Sequence, residues 1–235
     1  MAYLMSASSP SHLYALVPCA GVGERSGTNG PKQYAPLAGR SLVSHTLQAL
    51  AEVKRLRQTL VVLSADDTVF ESHAPAFTGW VARVGGASRA ASVANGLAEL
   101  LRRGAQPSDW VLVHDAARCL LRAEWVDALI DACMDDEVGG LLALPLADTM
   151  KQESAGRVAA TVARAHKWLA QTPQMFHIGE LQQALATAGA VTDEASAIEA
   201  SGRAPMLVPG SLENFKVTYP SDFALAERLL RTRRP

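Results

Sequence analysis

The sequence predicts an α/β protein with a doubly wound, mostly parallel sheet, and three observations carry that prediction. Short continuous apolar runs recur along the chain, as strands covered on both faces require. Stretches with apolar residues at helical spacing lie between them. Hydrophobic residues make up 49% of the 235 and charged residues 19%, enough apolar surface to offset the entropy of ordering the chain. Strand, helix, strand alternation of this kind favours a doubly wound parallel sheet.

Taken in order, the first strand is Tyr14-Ala15-Leu16-Val17. Further strands are expected at 59–63, 80–84, 110–113 and 140–144, each a run rich in Val, Leu or Trp. Ala90, Val93, Ala94, Leu97 and Leu101 fall on one helical face after Ser88, a good N-cap. Val126, Leu129, Ile130 and Cys133 mark a second helix, and Phe223, Ala226, Leu229 and Leu230 a terminal one. The rhythm breaks at 148–161, where polarity alternates around Ser154-Ala155-Gly156. That is a β-hairpin signal. An isolated hairpin is marginal in water, so this protruding arm, at about 147–168, is expected to pack on a second subunit. The remaining organisation is one domain over 12–235, with the Ser-containing stretch 1–11 expected to be a disordered tail.

Composition excludes several classes of function. With 22 Lys and Arg against 23 Asp and Glu, the net charge is -1, so no global field exists to grip nucleic acid or an anionic membrane. No apolar run approaches the roughly 20 residues that span a bilayer. The start of the chain lacks a basic leader, and Cys19, Cys119 and Cys133 are three widely spaced thiols with no CxxC pair. A cytoplasmic protein with buried thiols is expected.

The chemistry concentrates at strand ends, where open parallel sheets bind ligands. After the first strand come Pro18-Cys19-Ala20-Gly21-Val22-Gly23-Glu24-Arg25 and, further on, Pro31-Lys32-Gln33-Tyr34. Glycines let the backbone approach an anion closely, and Arg25 and Lys32 add positive charge. Neither common phosphate motif is present. Lys32 is not followed by Ser or Thr as in a P-loop, and the GxGxxG pattern fails at Ser26. The loop reads either as a triphosphate cradle or as a surface loop with two solvated cations.

A second motif is His114-Asp115-Ala116-Ala117-Arg118. Asp115 suits Mg²⁺ if phosphates and waters complete the shell, or it caps the next helix and pairs with Arg118. His114 reads as a packed ring behind the site. In Gly85-Gly86-Ala87-Ser88-Arg89 the glycines admit a flat base, and Ser92 either meets a base edge or packs on the sheet. Further along, Thr192-Asp193-Glu194 resembles a helix start. In Phe215-Lys216-Val217 a β-like alternation turns Lys216 away from its apolar neighbours.

In this order, Ala20-Gly21-x-Gly23 with Arg25, Pro31-Lys32-Gln33, His114-Asp115-Ala116-Ala117-Arg118, Thr172-Pro173-Gln174, Thr192-Asp193-Glu194-Ala195-Ser196-Ala197 and Lys216-Val217-Thr218 resemble the 2-C-methyl-D-erythritol 4-phosphate cytidylyltransferase family of the non-mevalonate isoprenoid pathway. The resemblance runs from about Tyr14 to Leu230. It implies a Rossmann-like α/β domain, a homodimer joined through the β-arm, CTP as co-substrate, and Mg²⁺. It also implies that Arg25 and Lys32 stabilise the transition state. Ala20, Gly21, Gly23, Gly86, Ser92 and Ala116 would bind CTP, and Asp115 would face the metal and the substrate. Arg164 and Lys216 would position methylerythritol phosphate, helped by Arg118, Thr149 and Thr192. Three residues depart from the pattern: Cys19 and Cys119 stand where Ala and Pro are usual, and Ala87 where Asp is frequent, which removes one contact expected near the cytidine. Rival readings are a ribitol 5-phosphate cytidylyltransferase, a Rossmann oxidoreductase, and a nucleotide-sensing domain without catalysis.

Overall fold

The computed structural model describes residues 11–21 and 30–233. The Gly23 and Arg25 expectations therefore lie outside the described residues, as does nearly all of the expected 1–11 tail.

Seven strands form the main sheet: β1 (Leu13–Pro18), β4 (Leu56–Val62), β5 (Trp80–Ala82), β6 (Trp110–Val113), β7 (Gly140–Pro145), β10 (Trp168–His177) and β11 (Met206–Pro209); β2 (Pro36–Leu37) and β3 (Arg40–Ser41) pair in a small ladder of their own, and the short α2 (Phe70–His73) follows β4. Their order is β11-β7-β10-β6-β1-β4-β5. β10 runs antiparallel to both neighbours, and the other pairings are parallel. The five expected strands are present, with the one at 80–84 ending earlier, at Ala82. The alternation of buried side chains along β1 explains both layers. Leu13, Ala15 and Val17 face one core, with Val43, Leu47 and Leu50 of α1 (Leu42–Glu52) and Val126, Leu129 and Ile130 of α4 (Ala123–Cys133). Tyr14 and Leu16 face the other, with Val93, Leu97 and Leu100 of α3 (Arg89–Arg102), Ile178 and Leu181 of α5 (Ile178–Thr187) and Ile198 of α6 (Glu194–Ala200). Val93, Leu97 and Leu100 are fully buried, and each contributes roughly 1.5–3 kcal/mol relative to an exposed position.

α3 starts where its sequence says, with Ser88 Oγ accepting from Ala91 N. Gly96 lets it approach the sheet: a Cβ there would stand 2.7 Å from Leu16 Cδ1 and 2.8 Å from Val62 Cγ2. α7 (Pro220–Thr232) closes a smaller cluster through Ala226, against Leu42, Leu120 and Val217.

The hairpin is β8 (Met150–Ser154) paired antiparallel with β9 (Arg157–Val162). Ala155 and Gly156 take φ of 49° and 75° at its tip, the left-handed backbone that a tight hairpin turn demands. Among the described residues the two strands pair only with each other, and nearly every residue on them is exposed.

Candidate active site

The strand order reverses at β1. β4 and β5 lie on one side of it, β6 and β10 on the other, so a crevice opens beyond the carboxyl ends of β1 and β6. A cavity of about 420 Å³ occupies it, lined by Ala20, Gly21, Lys32, Gly86, Ala87, Arg89, Ser92, Asp115, Ala116 and Lys216 among others. Most of the residues singled out in the sequence thus converge on one wall, although 196 positions separate Ala20 from Lys216 in numbering.

Lys32 sits on a short 3-10 turn, Lys32–Tyr34, whose position is set by its neighbours. Buried Gln33 donates from Nε2 to Cys19 O at 2.9 Å, and the Tyr34 hydroxyl donates to Asp67 Oδ2 at 2.5 Å. Lys32 Nζ itself donates to Val217 O at 2.7 Å, which ties the loop after β1 to the segment carrying Lys216. Ser92 is buried; its hydroxyl donates to Ser88 O at 2.9 Å and accepts from Gly86 N at 3.0 Å. The immediate work of Ser92 is therefore to hold the glycine loop in place. A Cβ on Gly86 would stand 2.5 Å from Ala91 Cβ, so the loop packs too closely for a larger residue.

Among the described residues lining the cavity, Asp115 is the only carboxylate. Its backbone N donates to Thr172 Oγ1 at 3.0 Å, and it caps no helix, because α4 starts after Arg122. Oδ1 accepts from Arg89 Nε at 2.8 Å, and Oδ2 lies 2.9 Å from Lys216 Nζ and 3.9 Å from Arg118 Nε. Burial alone would raise its pKa, but these three cations hold the carboxyl well below the usual carboxylate range. Among the described residues no group of three His, Cys, Asp or Glu stands together to hold a metal. One carboxylate whose oxygens already face cations fits an Mg²⁺ carried in by phosphates, taking one protein oxygen at most.

His114 is fully buried behind Asp115. Its Nε2 lies 3.2 Å from Arg118 O, an acceptor only, so Nε2 carries the proton. Nδ1 then accepts from the Thr172 hydroxyl at 3.0 Å. Burial pulls this imidazole down to about 4, against the opposing pull of Asp115, and the ring is neutral at pH 7. This matches the packed-ring reading.

The Thr172-Pro173-Gln174 motif acquires a structural explanation. The β10–β7 register shifts between Ala170 and Gln174, and a bulge is where an interior strand tolerates proline. The bulge aims Thr172 at Asp115 and His114. Gln174 donates to Asp193 Oδ2 at 2.9 Å and accepts from Ala195 N at 2.7 Å, fixing the start of α6. The N-cap there is Asp193, not Thr192, because Asp193 Oδ1 accepts from Ser196 N at 3.0 Å. After the 3-10 turn Leu212–Asn214, the stretch 215–218 joins no strand of the sheet. Asn214 hangs it from the bulge by donating to Thr172 O at 2.9 Å. The predicted alternation survives, since Val217 is fully buried while Lys216 reaches Asp115.

Arg118 lies behind the wall, donating to Asn214 O at 2.8 Å. Thr149, Arg164 and Thr192 are exposed and do not line the cavity; Thr149 and Arg164 flank the arm. The sequence reading passed over Arg89 and Glu194. Arg89 Nη1 and Nη2 donate to Glu194 at 2.6 and 3.0 Å, and Glu194 is only 1% exposed. Burial pushes the Glu194 carboxyl up, with Arg89 pulling against it. A lone Arg one residue after an N-cap gives no local signal of such a bridge.

The family model described as IspD, 2-C-methyl-D-erythritol 4-phosphate cytidylyltransferase, matches residues 13–232. The chain belongs to this family. A 2-C-methyl-D-erythritol 4-phosphate cytidylyltransferase of Burkholderia multivorans is 54% identical over 227 residues, covering 93% of this chain and 95% of that protein. A bifunctional IspD/IspF enzyme of Albidiferax ferrireducens is 62% identical over 222 residues, covering 94% of this chain. The chain spans only 53% of that longer relative. Among solved structures, a 4-diphosphocytidyl-2C-methyl-D-erythritol synthase superposes with a TM-score of 0.86 at 40% identity, covering 95% of this chain and all of that one. The Thermus thermophilus cytidylyltransferase gives 0.76 at 31% identity, covering 92% and 98%. Membership of the cytidylyltransferase family makes the fold and the nucleotidyltransferase class a matter of observation.

Proposed function

We infer that this protein transfers CMP from CTP to 2-C-methyl-D-erythritol 4-phosphate, giving 4-(cytidine 5'-diphospho)-2-C-methyl-D-erythritol and pyrophosphate. The observation that carries this is the convergence of the family's motifs on one cation-rich cavity at the β1/β6 crevice. The sugar-phosphate oxygen is already anionic, so it attacks the α-phosphorus in line without a general base, and pyrophosphate leaves. What the protein must supply is positioning and charge. Lys32 and Arg25 are assigned to the charge that grows at the α-phosphorus and its leaving oxygen. Lys216 is assigned to the incoming phosphate, and Asp115 holds its ammonium in place until substrate arrives. Ala20, Gly21, Gly86 and Ala116 form the wall for the nucleotide, joined in this reading by Gly23 and Ser92. Mg²⁺, when bound, would draw charge off the triphosphate, with Asp115 the lining residue able to offer it an oxygen.

The homodimer is also part of this reading. Val158 on the arm is 65% exposed and Leu169 at its base 52% exposed, apolar surface that a partner would cover. Arg164 and Thr149 would then reach the partner's cavity, which accounts for their distance from their own, with Thr192 and Arg118 completing the sugar-phosphate side. Three buried free thiols suit a reducing cytoplasm. No helix among the described residues is long and apolar enough to cross a membrane.

The test is pyrophosphate release by the purified protein with CTP and Mg²⁺, offering methylerythritol phosphate and ribitol 5-phosphate in parallel. Release with the first alone is expected. Release with ribitol 5-phosphate alone would reassign the acceptor, and CTP binding without release would leave a sensor.

A further inference from the structure

Two buried carboxylates compete here for one guanidinium, and the way it is shared bears on Lys216. Glu194, the first residue of α6, takes the fork of Arg89: Nη1 at 2.6 Å on Oε1 and Nη2 at 3.0 Å on Oε2. Of the guanidinium's five N–H groups, the one that meets Asp115 is Nε–H, on Oδ1 at 2.8 Å. Asp115 Oδ2 meets Lys216 Nζ at 2.9 Å, with no Arg89 nitrogen hydrogen-bonded to it. A guanidinium engages a carboxylate best through two parallel N–H donors. Were Glu194 absent, that geometry would favour Arg89 turning its fork onto Asp115 and occupying both oxygens. The place of Glu194 is set by backbone, because Gln174 accepts from Ala195 N at 2.7 Å and donates to the Asp193 cap at 2.9 Å. Its grip on Arg89 is therefore imposed by α6, not by chance side-chain packing.

We propose that Glu194 is a positioning residue for the transfer reaction: by holding the Arg89 fork away from Asp115, it keeps Asp115 Oδ2 on Lys216 and so keeps the Lys216 ammonium aimed at the sugar-phosphate. This rests on the cytidylyltransferase reading and extends it to a residue that touches neither substrate.

The variant to make is Glu194→Gln. The amide accepts through one oxygen and turns an N–H₂ toward the guanidinium, so one arm of the fork loses its acceptor. Arg89 keeps Asp115 as a counter-charge, and no buried ion is left alone. Kinetically, the KM for methylerythritol phosphate is expected to rise about tenfold, the size of typical couplings between linked sites, while the KM for CTP moves less than about twofold. Glu194→Asp, which retains two acceptor oxygens, is expected to restore part of that loss. Equal changes in both KM values, or none, would overturn the proposal. A crystal structure of Glu194→Gln gives a readout independent of turnover. Expected there is Arg89 bidentate on Asp115, with Lys216 Nζ beyond hydrogen-bond reach of Oδ2, roughly 3.5 Å or more. Unchanged contacts would refute the proposal. Should Glu194→Gln fail to fold, Glu194→Asp carries the test alone: its shorter carboxylate holds the fork less firmly, so a smaller rise in the KM for methylerythritol phosphate with the KM for CTP unmoved is expected, and equal changes in both would overturn the proposal. If the unmodified protein releases no pyrophosphate, the functional reading fails, and the structure of the variant still decides the Arg89 geometry.

Discussion

Acidification offers a direct test of how the wall behind Asp115 is built. His114 is held at about 4 by burial, whereas in an unfolded chain it titrates near about 6.5. The folded value is the lower one. Between these two pH values the unfolded chain takes up a proton that the folded chain refuses, so stability falls as the pH falls. The contribution is whole above the unfolded pKa and fully lost below the folded one. A gap of that size corresponds to about 3 kcal/mol, at about 1.36 kcal/mol per unit. Carboxylates such as Asp115, held low by its cations, also lose stability in acid, so the measurement must be a difference. Urea unfolding of the protein and of His114→Gln is compared at pH 7 and pH 4. At pH 7 the variant is expected to be the less stable, having lost a packed ring whose nitrogens meet Thr172 and Arg118. By pH 4 the gap should close by about 3 kcal/mol. A gap that stays constant to within about 0.5 kcal/mol would show that His114 is not buried as a neutral ring. The site should feel the same protonation, because Thr172 Oγ1 links His114 Nδ1 to the Asp115 amide.

Three further outcomes are expected. Lys32→Ala should lower turnover on the order of 10²–10³-fold, the usual loss for one preorganised charge donor. Its hydrogen bond to Val217 O accounts for only about 1 kcal/mol of stability, so pyrophosphate release and thermal unfolding should separate; near-normal release would remove Lys32 from the mechanism. Gly86→Ala places a Cβ 2.5 Å from Ala91 Cβ, which should cost about 1–3 kcal/mol and weaken CTP binding by calorimetry; binding unchanged within about twofold would show that the loop yields freely. Val158→Asp, on the exposed arm strand, should shift sedimentation toward a monomer and suppress release while leaving CTP binding, and an active monomer would detach the arm from the reaction.

The parallel part of the fold was legible because its strands are covered on both faces and read as unbroken apolar runs. Tyr14 to Val17 and Trp110 to Val113 are both buried throughout. β10 was not legible. Its first three residues, Trp168 to Ala170, are exposed, its middle carries Thr172-Pro173 at a bulge, and proline ordinarily argues against an interior strand. The site divides in the same way. Lys32, Asp115 and Lys216 were identified because family motifs contain them, and Asp115 because carboxylates at strand ends face the crevice. Arg89 and Glu194 were missed because their significance lies in a contact between residues 105 positions apart, which no local spacing encodes. The start of α6 was legible as Thr192-Asp193-Glu194 but its cap was not: Thr and Asp are both good N-cap residues, and only the bond from Ser196 N to Asp193 Oδ1 chooses between them.

The charge arithmetic of the whole chain and that of the cavity point in opposite directions, and the difference explains how a nearly neutral protein can hold two polyanions. Overall charge is -1, but surface charges farther than roughly 8 Å apart are screened at physiological salt. The cavity's own charge is local: among the described residues, Lys32, Arg89 and Lys216 stand on its wall with Arg118 behind them, opposed by Asp115 and Glu194. Four cations packed without anions would repel one another and pull their side chains toward solvent. The two carboxylates remove that repulsion and fix the directions of the cations, leaving a positive excess. Burial sharpens the effect, because charges in a site partly withdrawn from water interact more strongly than exposed ones. Asp115 therefore does more by orienting cations than it would as a simple metal anchor. Removing its charge would cost the site the aim of Lys216 as well as an oxygen ligand, although it would make the cavity more positive. If net attraction governed turnover, Asp115→Asn would tighten CTP binding and raise the rate. If orientation governs it, CTP binding holds or tightens while the rate collapses, and the geometry of the Arg89, Asp115 and Lys216 contacts argues for the second.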